Sequence, residues 1–390
     1  NNDYGILING IGPDHNRILA NFIGTDSGGI APLGNLMYGV YVYLGGQYNE
    51  IGPGNVIAYN GSASYPNALL IDGASASYNT ITQNSFFSNY GQGIGLSNGA
   101  NLSIAYPAIS YADYNIASGN TSLEGTAAPL STVEVFLTEN PADSSGYGEG
   151  KTYCGSVTAD AAGNWSATLT GLASGKATAT ATLAGNTSQF AQNVVINSTA
   201  PAVSNVTSAK ANGAYMAAEN ILITVAFDEI VNVTGVPRLE LETGASSYAN
   251  YSGGTGTTTL TFSYTVAAGE NNADLDYKTV NSLGLNGGTI RDRAGNDATL
   301  TLPAPGAAGS LGANKALAID TTPATVSNIN STKSDGSYTV STNIPVSITF
   351  NEPVVVTDNP RLFLATGSPS SYATYSSGSG TATLVFSYII

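Results

Sequence analysis

The chain has 390 residues, of which 9% are charged and 46 are glycine. A chain so poor in Lys, Arg and Glu cannot consist mainly of exposed amphipathic helices, because their polar faces normally carry those residues. The 11 basic and 26 acidic residues give a net charge of −15, which excludes the basic footprint of nucleic-acid binding and of polybasic membrane binding. No apolar run approaches the about 20 residues of a membrane-spanning helix, so we expect no membrane insertion of this segment. The composition predicts an all-β protein, and the length predicts roughly two to four domains.

One cysteine and one histidine limit the chemistry further. Cys154 has no second cysteine with which to form an intrachain disulfide, and His15 alone cannot supply a His-rich zinc site. We expect Cys154 to be a buried small hydrophobic residue, with a covalent link to another chain as the alternative.

Residues 1–109 contain the first internal repeat. Three elements recur in order: a small residue with an apolar run (residues 5–8, 39–42, 68–71 and 93–96), then Asn-x-Ile (16–18, 49–51 and 79–81), then a further Asn (Asn21, Asn55 and Asn84). The spacing of roughly 25–34 residues is that of repeat architectures. It predicts a parallel β-helix in which each strand pairs with its equivalent one repeat later. We expect Asn at the corners because it tolerates the left-handed conformation, and we expect stacked Asn side chains to bond along the axis.

Two segments of this region carry a family resemblance. Residues 23–29 (IGTDSGG), followed by 33–35 (LGN), and residues 51–57 (IGPGNVI) resemble the repeats of right-handed parallel β-helix surface proteins. The resemblance implies a short right-handed β-helix from a large secreted protein. Repeat proteins need polar ends and several neighbours to bury a core, so we expect the β-helix to be incomplete at its N-terminus.

Residues 110–196 show short alternating strands, typical of a β-sandwich. The pattern predicts strands at 133–137, 155–158, 165–169 and 178–183, with a turn at 160–164. Residues 185–190 (GNTSQF) resemble the GNTSEF signature of an Ig-like module, with Gln189 in place of the usual Glu.

The rest of the chain is a tandem repeat at an offset of 123 to 124 residues, which divides it into residues 197–320 and 321–390. Residues 221–227 match 344–350, and residues 259–264 match 383–388. This resembles the tandem Ig-like repeats of large bacterial adhesins. The second copy ends at Ile390, equivalent to Val266. We therefore expect a truncated sandwich that is completed either by further chain or by strands of another chain, with self-association through strand edges.

Two groups of acidic residues suggest chemistry. Asp14, His15, Asp26 and Glu50 suggest a catalytic groove on the β-helix, but solvated turn residues are the favoured interpretation, because a fold alone does not imply an activity. In the third segment, oxygen ligands from several loops suggest a calcium site; the alternative is a set of turns stabilised by their own side chains, since no spacing matches an EF-hand. The calcium candidates are Asp228, Glu229, Asp292, Asp297 and Asp320.

These patterns favour a non-enzymatic structural or adhesive protein of the cell exterior, as an adhesin rod or an assembled filament or sheath. The alternative is a carbohydrate-active β-helix lyase or hydrolase with accessory Ig-like modules. A third interpretation is an adhesin that binds surface glycans, for which the 23 tyrosines offer a platform. They are more simply explained as β-prone strand residues. Ten Asn-x-Ser/Thr sequons are glycan acceptors only in a secreted protein of a glycosylating organism: Asn60, Asn101, Asn120, Asn164, Asn186, Asn197, Asn205, Asn232, Asn250 and Asn330.

Overall fold

The computed structural model describes residues 2–10, 12–139, 141–142, 144–244, 247–366 and 371–390. Within these residues the protein is all-β, with a single one-turn α-helix and one 3-10 turn. None of its described helices has the length and apolar character needed to cross a membrane.

The N-terminal unit consists of short strands that stack in parallel. Its strands are β1 Tyr4–Asn9, β2 Gly12–Pro13, β3 Arg17–Ile18, β4 Phe22–Ile23, β5 Tyr38–Tyr43, β6 Gly46–Gln47, β7 Glu50–Ile51, β8 Val56–Ala58, β9 Leu69–Asp72, β10 Thr80–Ile81, β11 Ser85–Phe87 and β12 Ile94–Ser97, followed by a 3-10 turn at Ala100–Ser103. Every pair joins a strand to its equivalent one repeat away, in the orders β1-β5-β9-β12, β3-β7-β10 and β4-β8-β11, with β2 beside β6. Alternate residues such as Val40, Val42 and Ile71 are fully buried between the sheets.

Asparagine side chains bond to one another from each repeat to the next. The amide oxygen of Asn49 accepts from both the backbone N–H and Nδ2 of Asn16, each at 3.0 Å. The same two-bond step builds three ladders: Asn16–Asn49–Asn79, Asn21–Asn55–Asn84 and Asn35–Asn60–Asn89. Asn101 extends the first ladder differently: its Oδ1 accepts from the Asn79 N–H, and its Nδ2 donates to the Asn79 carbonyl. The expected bonding along the axis is therefore confirmed.

The expectation that Asn itself adopts the left-handed conformation is mostly wrong. The residue before the ladder Asn turns the corner, and it has a positive φ at His15, Tyr48, Tyr59, Tyr78 and Ser88. Asn101 is the exception, with φ 45°. A positive φ strains a residue other than glycine by about 1 kcal/mol. Residues of many types can occupy this position because the hydrogen bonds of the following ladder Asn offset that strain.

The second unit is a sandwich of two antiparallel sheets. Its strands are β13 Ala108–Asn115, β14 Asn120–Thr126, β15 Thr132–Thr138, β16 Gly150–Thr158, β17 Asn164–Thr170, β18 Lys176–Leu183, β19 Asn186–Thr187 and β20 Val194–Val195. One sheet has the order β13-β14-β17, and the other has the order β16-β15-β18-β19 with β20 beside β18. Leu123, Val133, Val135 and Trp165 lie in the core between them.

The third unit has a large sheet covered by a smaller one. Its elements are β21 Val203–Ser208, β22 Gly213–Tyr215, β23 Asn220–Thr234, β24 Arg238–Leu241, β25 Ser247–Gly253, β26 Thr257–Thr265, β27 Asn271–Asn272, β28 Leu283–Gly284, β29 Thr289–Arg291, α1 Leu311–Asn314 and β30 Leu317–Asp320. The large sheet has the order β21-β23-β26-β25-β24-β28, and the small sheet has the order β22-β30-β27.

The fourth unit repeats five of the strands of the large sheet, without a counterpart of β28. Its strands, β31 Val326–Ser331, β32 Asn343–Val354, β33 Arg361–Leu364, β34 Ser371–Ser377 and β35 Thr381–Ile389, have the order β31-β32-β35-β34-β33. Counterparts of β27 to β30 are missing among the described residues of this unit. The inner face is correspondingly open: Val206 of the third unit is fully buried, whereas its equivalent Ile329 is 58% exposed.

Each strand predicted from sequence in the last three units lies within an observed strand. Most strands of the chain pair antiparallel, and parallel pairing is found in the N-terminal unit and in the short pair of β22 with β30. The alternating apolar pattern predicts which residues face a core, but it does not distinguish the two pairing modes.

Candidate functional site at the joints between units

Acidic side chains of the second unit close the end of the N-terminal unit. Glu149 is 1% exposed and accepts from the backbone N–H of Asn89 at 3.1 Å and from its Nδ2 at 2.5 Å. The carboxylate thus receives the same two bonds that an Asn of a further repeat would receive. Glu134 accepts from the Thr82 hydroxyl at 2.5 Å and from the Gln83 N–H at 3.1 Å. Polar groups at the end of the stack are thereby paired within the chain, as buried polar groups require.

The sequence motif at residues 185–190 forms part of the same joint. Asn186 Oδ1 accepts from the N–H of Tyr78 at 2.7 Å, and Thr187 Oγ1 accepts from the N–H of Ile81 at 2.9 Å. Phe190 inserts into the N-terminal core and packs edge-on against Phe86, with ring centroids 5.5 Å apart. The motif therefore joins two units. The signal available in the sequence was its position just after a strand, with four polar residues before an aromatic one.

Burial makes the Glu134 carboxyl harder to ionise. It is 5% exposed, and desolvation raises its pKa, while the hydrogen bonds from Thr82 and Gln83 offset part of that rise. Keeping the buried Glu134 carboxylate ionised therefore costs free energy. The joint accepts this cost because the carboxylate pairs the Thr82 hydroxyl and the Gln83 N–H.

A turn of the third unit forms the next joint. Asn296 Oδ1 accepts from the N–H of Ile116 at 2.8 Å, and its Nδ2 donates to the carbonyl of Tyr114 at 2.9 Å. Arg293 forms an ion pair with Glu124, and its guanidinium carbon lies 4.4 Å from the ring centre of Tyr111. The turn thus binds backbone groups at the end of β13 through Asn296, and it binds the neighbouring strand β14 through the ion pair of Arg293 with Glu124.

The five predicted calcium ligands are only partly brought together: Glu229 lies close enough to Asp228 and Asp292 for their charges to repel its carboxylate. Both oxygens of Asp292 accept from Asn296, at 2.7 Å each, and Asp297 pairs with Arg291 at 2.6 Å. The other three make bonds of their own: Asp228 accepts from the Ala202 N–H, Glu229 from Asn197 Nδ2, and Asp320 from the Thr322 N–H. In the described ranges, no three His, Cys, Asp or Glu side chains are arranged to hold a metal ion. Asp292 serves the joint through Asn296.

Electrostatic repulsion remains at this joint. Burial raises the pKa of Asp113, and the neighbouring Asp292 raises it further. Burial likewise raises the pKa of Glu229, with Asp292 and Asp113 adding to the rise. The carboxylates of Asp113, Glu229 and Asp292 therefore repel one another, and Arg293 and Asn197 offset part of this repulsion.

The predicted groove residues are only partly brought together. His15 and Glu50 line one cleft of about 360 Å³, where His15 stacks on Tyr48 with ring centroids 5.2 Å apart. Glu50 is paired with Arg17 at 2.6 Å. Asp26 accepts from the N–H groups of Ile30 and Ala31 in its own loop, and these bonds lower its pKa. Asp14 and Asp26 do not line this cleft.

Tyrosine rings form a stacked face on the first sheet of the N-terminal unit. Tyr41 lies 5.6 Å from Tyr4, 5.0 Å from Tyr38 and 5.2 Å from Tyr43 between ring centroids. Its hydroxyl donates to Asp72 at 3.3 Å, and burial together with Asp72 raises its pKa. The sequence favoured β-prone strand residues over a binding platform for the tyrosines, and it gave no indication that these rings stack.

The structure corrects the expectation for Cys154 and narrows the set of possible glycan acceptors. Cys154 is half-buried rather than buried, and its thiol donates to the Thr152 carbonyl at 3.1 Å. Three of the sequon residues, Asn60, Asn101 and Asn186, are at most 3% exposed. They are inaccessible to glycosylation in the folded chain.

The comparisons with known proteins add little. No protein-family model matches the chain, and no curated protein matches it. Solved structures with some similarity include a biofilm-associated protein BSP domain (14% identity, TM-score 0.19, 50% of this chain and 28% of that one) and the D0-D1 domain of intimin (12%, 0.17, 50% and 96%). The FN1-FN3 domains of chicken CNTN1 are a third (11%, 0.21, 72% and 89%). This chain thus spans little more than a quarter of the first of these structures, and TM-scores of this size carry no argument about function.

Proposed function

We propose that the chain is a non-enzymatic structural or adhesive protein of the cell exterior, in which a short right-handed parallel β-helix and Ig-like sandwiches form one elongated rod. The observation that carries the proposal is that specific side chains close each of the first two joints. Glu149 continues an Asn ladder into the second unit, and Asn296 continues the second unit into the third.

The exposed surface supports an elongated molecule. The chain exposes 18310 Å², whereas a compact monomer of 39.5 kDa is expected to expose about 14,300 Å². Serial modules that touch only their neighbours leave this excess, because each module keeps its own surface.

The open face of the fourth unit supports assembly by strand complementation. In the third unit the equivalent face is covered by Leu275, Tyr277 and Leu317, all fully buried. We propose that the fourth unit takes a segment of the same chemistry, supplied either by further chain or by another chain. Adding a peptide of residues 267–320 to the full chain should slow amide exchange in β32 and β35 at least about tenfold. Unchanged exchange would sink this part of the proposal.

Electron microscopy of the purified full chain tests the structural role directly. We expect elongated particles that join into longer assemblies as concentration rises. Compact, separate particles at every concentration, together with cleavage of a polysaccharide, would instead favour the carbohydrate-active alternative.

The stacked tyrosine face supports an adhesive role toward glycans. Aromatic rings beside a carboxylate suit the apolar face and hydroxyls of a sugar. On a glycan array, Tyr41→Ala should abolish any binding, whereas Tyr90→Ala, at an exposed ring outside the stack, should not. Equal glycan binding by the two variants would contradict a role of the stacked tyrosine face in adhesion.

A further inference from the structure

The chain contains two linkers that contact the following unit in the same way. Residues 197–202 lead into the third unit, and residues 320–325 lead into the fourth. The N–H of the last residue donates to Asp228 Oδ1 at 2.8 Å in the first linker and to Asn351 Oδ1 at 2.7 Å in the second. The N–H of the same strand residue donates back to the linker carbonyl, at 3.0 Å in both. The repeat therefore preserves the contact of the linker with the long strand, β23 or β32.

The first residue of each linker also occupies an equivalent position. Oδ1 of Asn197 accepts from the Thr199 N–H at 3.1 Å, and Oδ1 of Asp320 accepts from the Thr322 N–H at 3.0 Å. The other terminal side-chain atom is Nδ2 in Asn197, which is a donor, and Oδ2 in Asp320, which is only an acceptor when the carboxyl is ionised. The two joints thus differ in what this atom offers to the neighbouring strand.

A glutamate of the following strand meets this side chain at both joints. At the second joint, Asn197 Nδ2 donates to Glu229 Oε2 at 2.7 Å. At the third joint, between the third and fourth units, the equivalent Glu352 lies against the Asp320 carboxyl, and its buried Oε1 receives no hydrogen bond from the described residues. Two ionised carboxyls have no hydrogen to share. The contact at the third joint therefore requires a proton that the second joint does not require.

The charges around Glu352 set the direction of the pH dependence. Burial raises the pKa of Glu352, and the negative charge of Asp320 raises it further. Within the described ranges, Asp320 is the charged neighbour that acts on Glu352, and neither carboxyl forms an ion pair with a basic side chain. Because the pKa is higher in the joined state than in separated units, this contact is stable below the ordinary carboxyl pKa. Its stability is lost as pH rises through the raised pKa.

We propose that Asp320 and Glu352 share one proton, which makes the third joint pH-dependent. In the protonated pair one carboxyl donates its O–H to the carboxylate of the other. At higher pH this proton passes to the solvent, and the two carboxylates repel each other. The inference rests on the proposed rod and adds a condition under which one of its joints loosens.

Distances between spin labels on the full chain test this proposal. In a Cys154→Ser background, labels are attached at Ser252→Cys and Ser376→Cys, which are equivalent exposed positions of the third and fourth units. With a chelator present, the distance distribution should broaden about twofold from pH 4 to pH 7, as expected for repulsion between two unit charges in water. An unchanged width would overturn the proposal. A broad distribution at pH 7 that calcium narrows would also overturn it, because the pair would then bind a cation.

Two substitutions separate the carboxyl pair from the rest of the joint. Asp320→Asn restores the amide donor that Asn197 supplies, and Glu352→Gln supplies one from the other side, so each should keep the narrow distribution at both pH values. Asp335→Asn, at an exposed carboxylate elsewhere in the fourth unit, should broaden as the wild type does. Broadening that persists in either pair variant would overturn the proposal while leaving the proposed function standing. Broad distributions in every protein at both pH values would overturn both the shared proton and the proposed rod.

Discussion

At the scale of single residues, buried amides do most to define the N-terminal unit. Asn60 is 1% exposed, accepts two bonds from Asn35 and donates to Asn89 and to the carbonyls of Ile23 and Ala58. Asn60→Ala leaves these buried groups unpaired and should lower the free energy of unfolding by about 3–5 kcal/mol. Urea unfolding measures it. Asn16→Ala, at the exposed start of a ladder, is the control and should cost about 1 kcal/mol; equal losses would contradict the account.

The Glu134 carboxyl gives a pH prediction. Its folded-state pKa is raised by burial, so between its unfolded and folded pKa values the folded chain holds more protons than the unfolded chain. Stability from this group therefore falls as pH rises through that window. The free energy of unfolding of the wild type minus that of Glu134→Gln should decrease from pH 4 to pH 7. A difference that increases over this range would contradict the assigned burial.

The sequence suggested a calcium site, whereas the hydrogen bonds of Asp292 predict that calcium has little effect on stability. Both oxygens of Asp292 are already bonded to Asn296, so an ion would have to displace them. Adding millimolar calcium, or removing it with a chelator, should shift the unfolding temperature by less than about 1 °C. A shift of several degrees, lost in Asp292→Asn, would restore the calcium interpretation.

At the scale of elements, Phe190 packs into the core of the N-terminal unit, so we expect the first two units to unfold as one cooperative block. Its ring is 3% exposed and packs on Phe86 and Phe136. Phe190→Ala should cost about 3–5 kcal/mol and split one calorimetric transition into two. Leu183→Ala, at a residue 38% exposed in the adjoining strand, should do neither. A single transition in Phe190→Ala would mean that the hydrogen bonds alone couple the units.

The elements also show what a sequence can and cannot predict here. Strands β23 and β32 follow from their alternating apolar residues, and the Asn ladders follow from the repeat spacing. The joints could not be predicted from the sequence. Glu134, for example, lies in an alternating strand, where the pattern predicts a polar side chain that faces solvent. Whether the turn at residues 292–296 binds an ion, another unit or only itself depends on what another unit places beside it.

At the scale of the whole molecule, the proposed rod requires stiff joints between serial units. Among the residues that the structure describes, one ion pair crosses the second joint, between Arg293 and Glu124. Arg291 pairs with Asp297 inside its own unit and is similarly exposed, so it is the matched control for any test of stiffness.

Small-angle X-ray scattering of the dilute full chain tests this central claim most directly. A compact 390-residue domain has a radius of gyration of about 21 Å. We predict a value at least about half as large again, as expected for serial modules, altered by Arg293→Ala and unchanged by Arg291→Ala. A radius of gyration near 21 Å, the same in all three proteins, would contradict the modular rod.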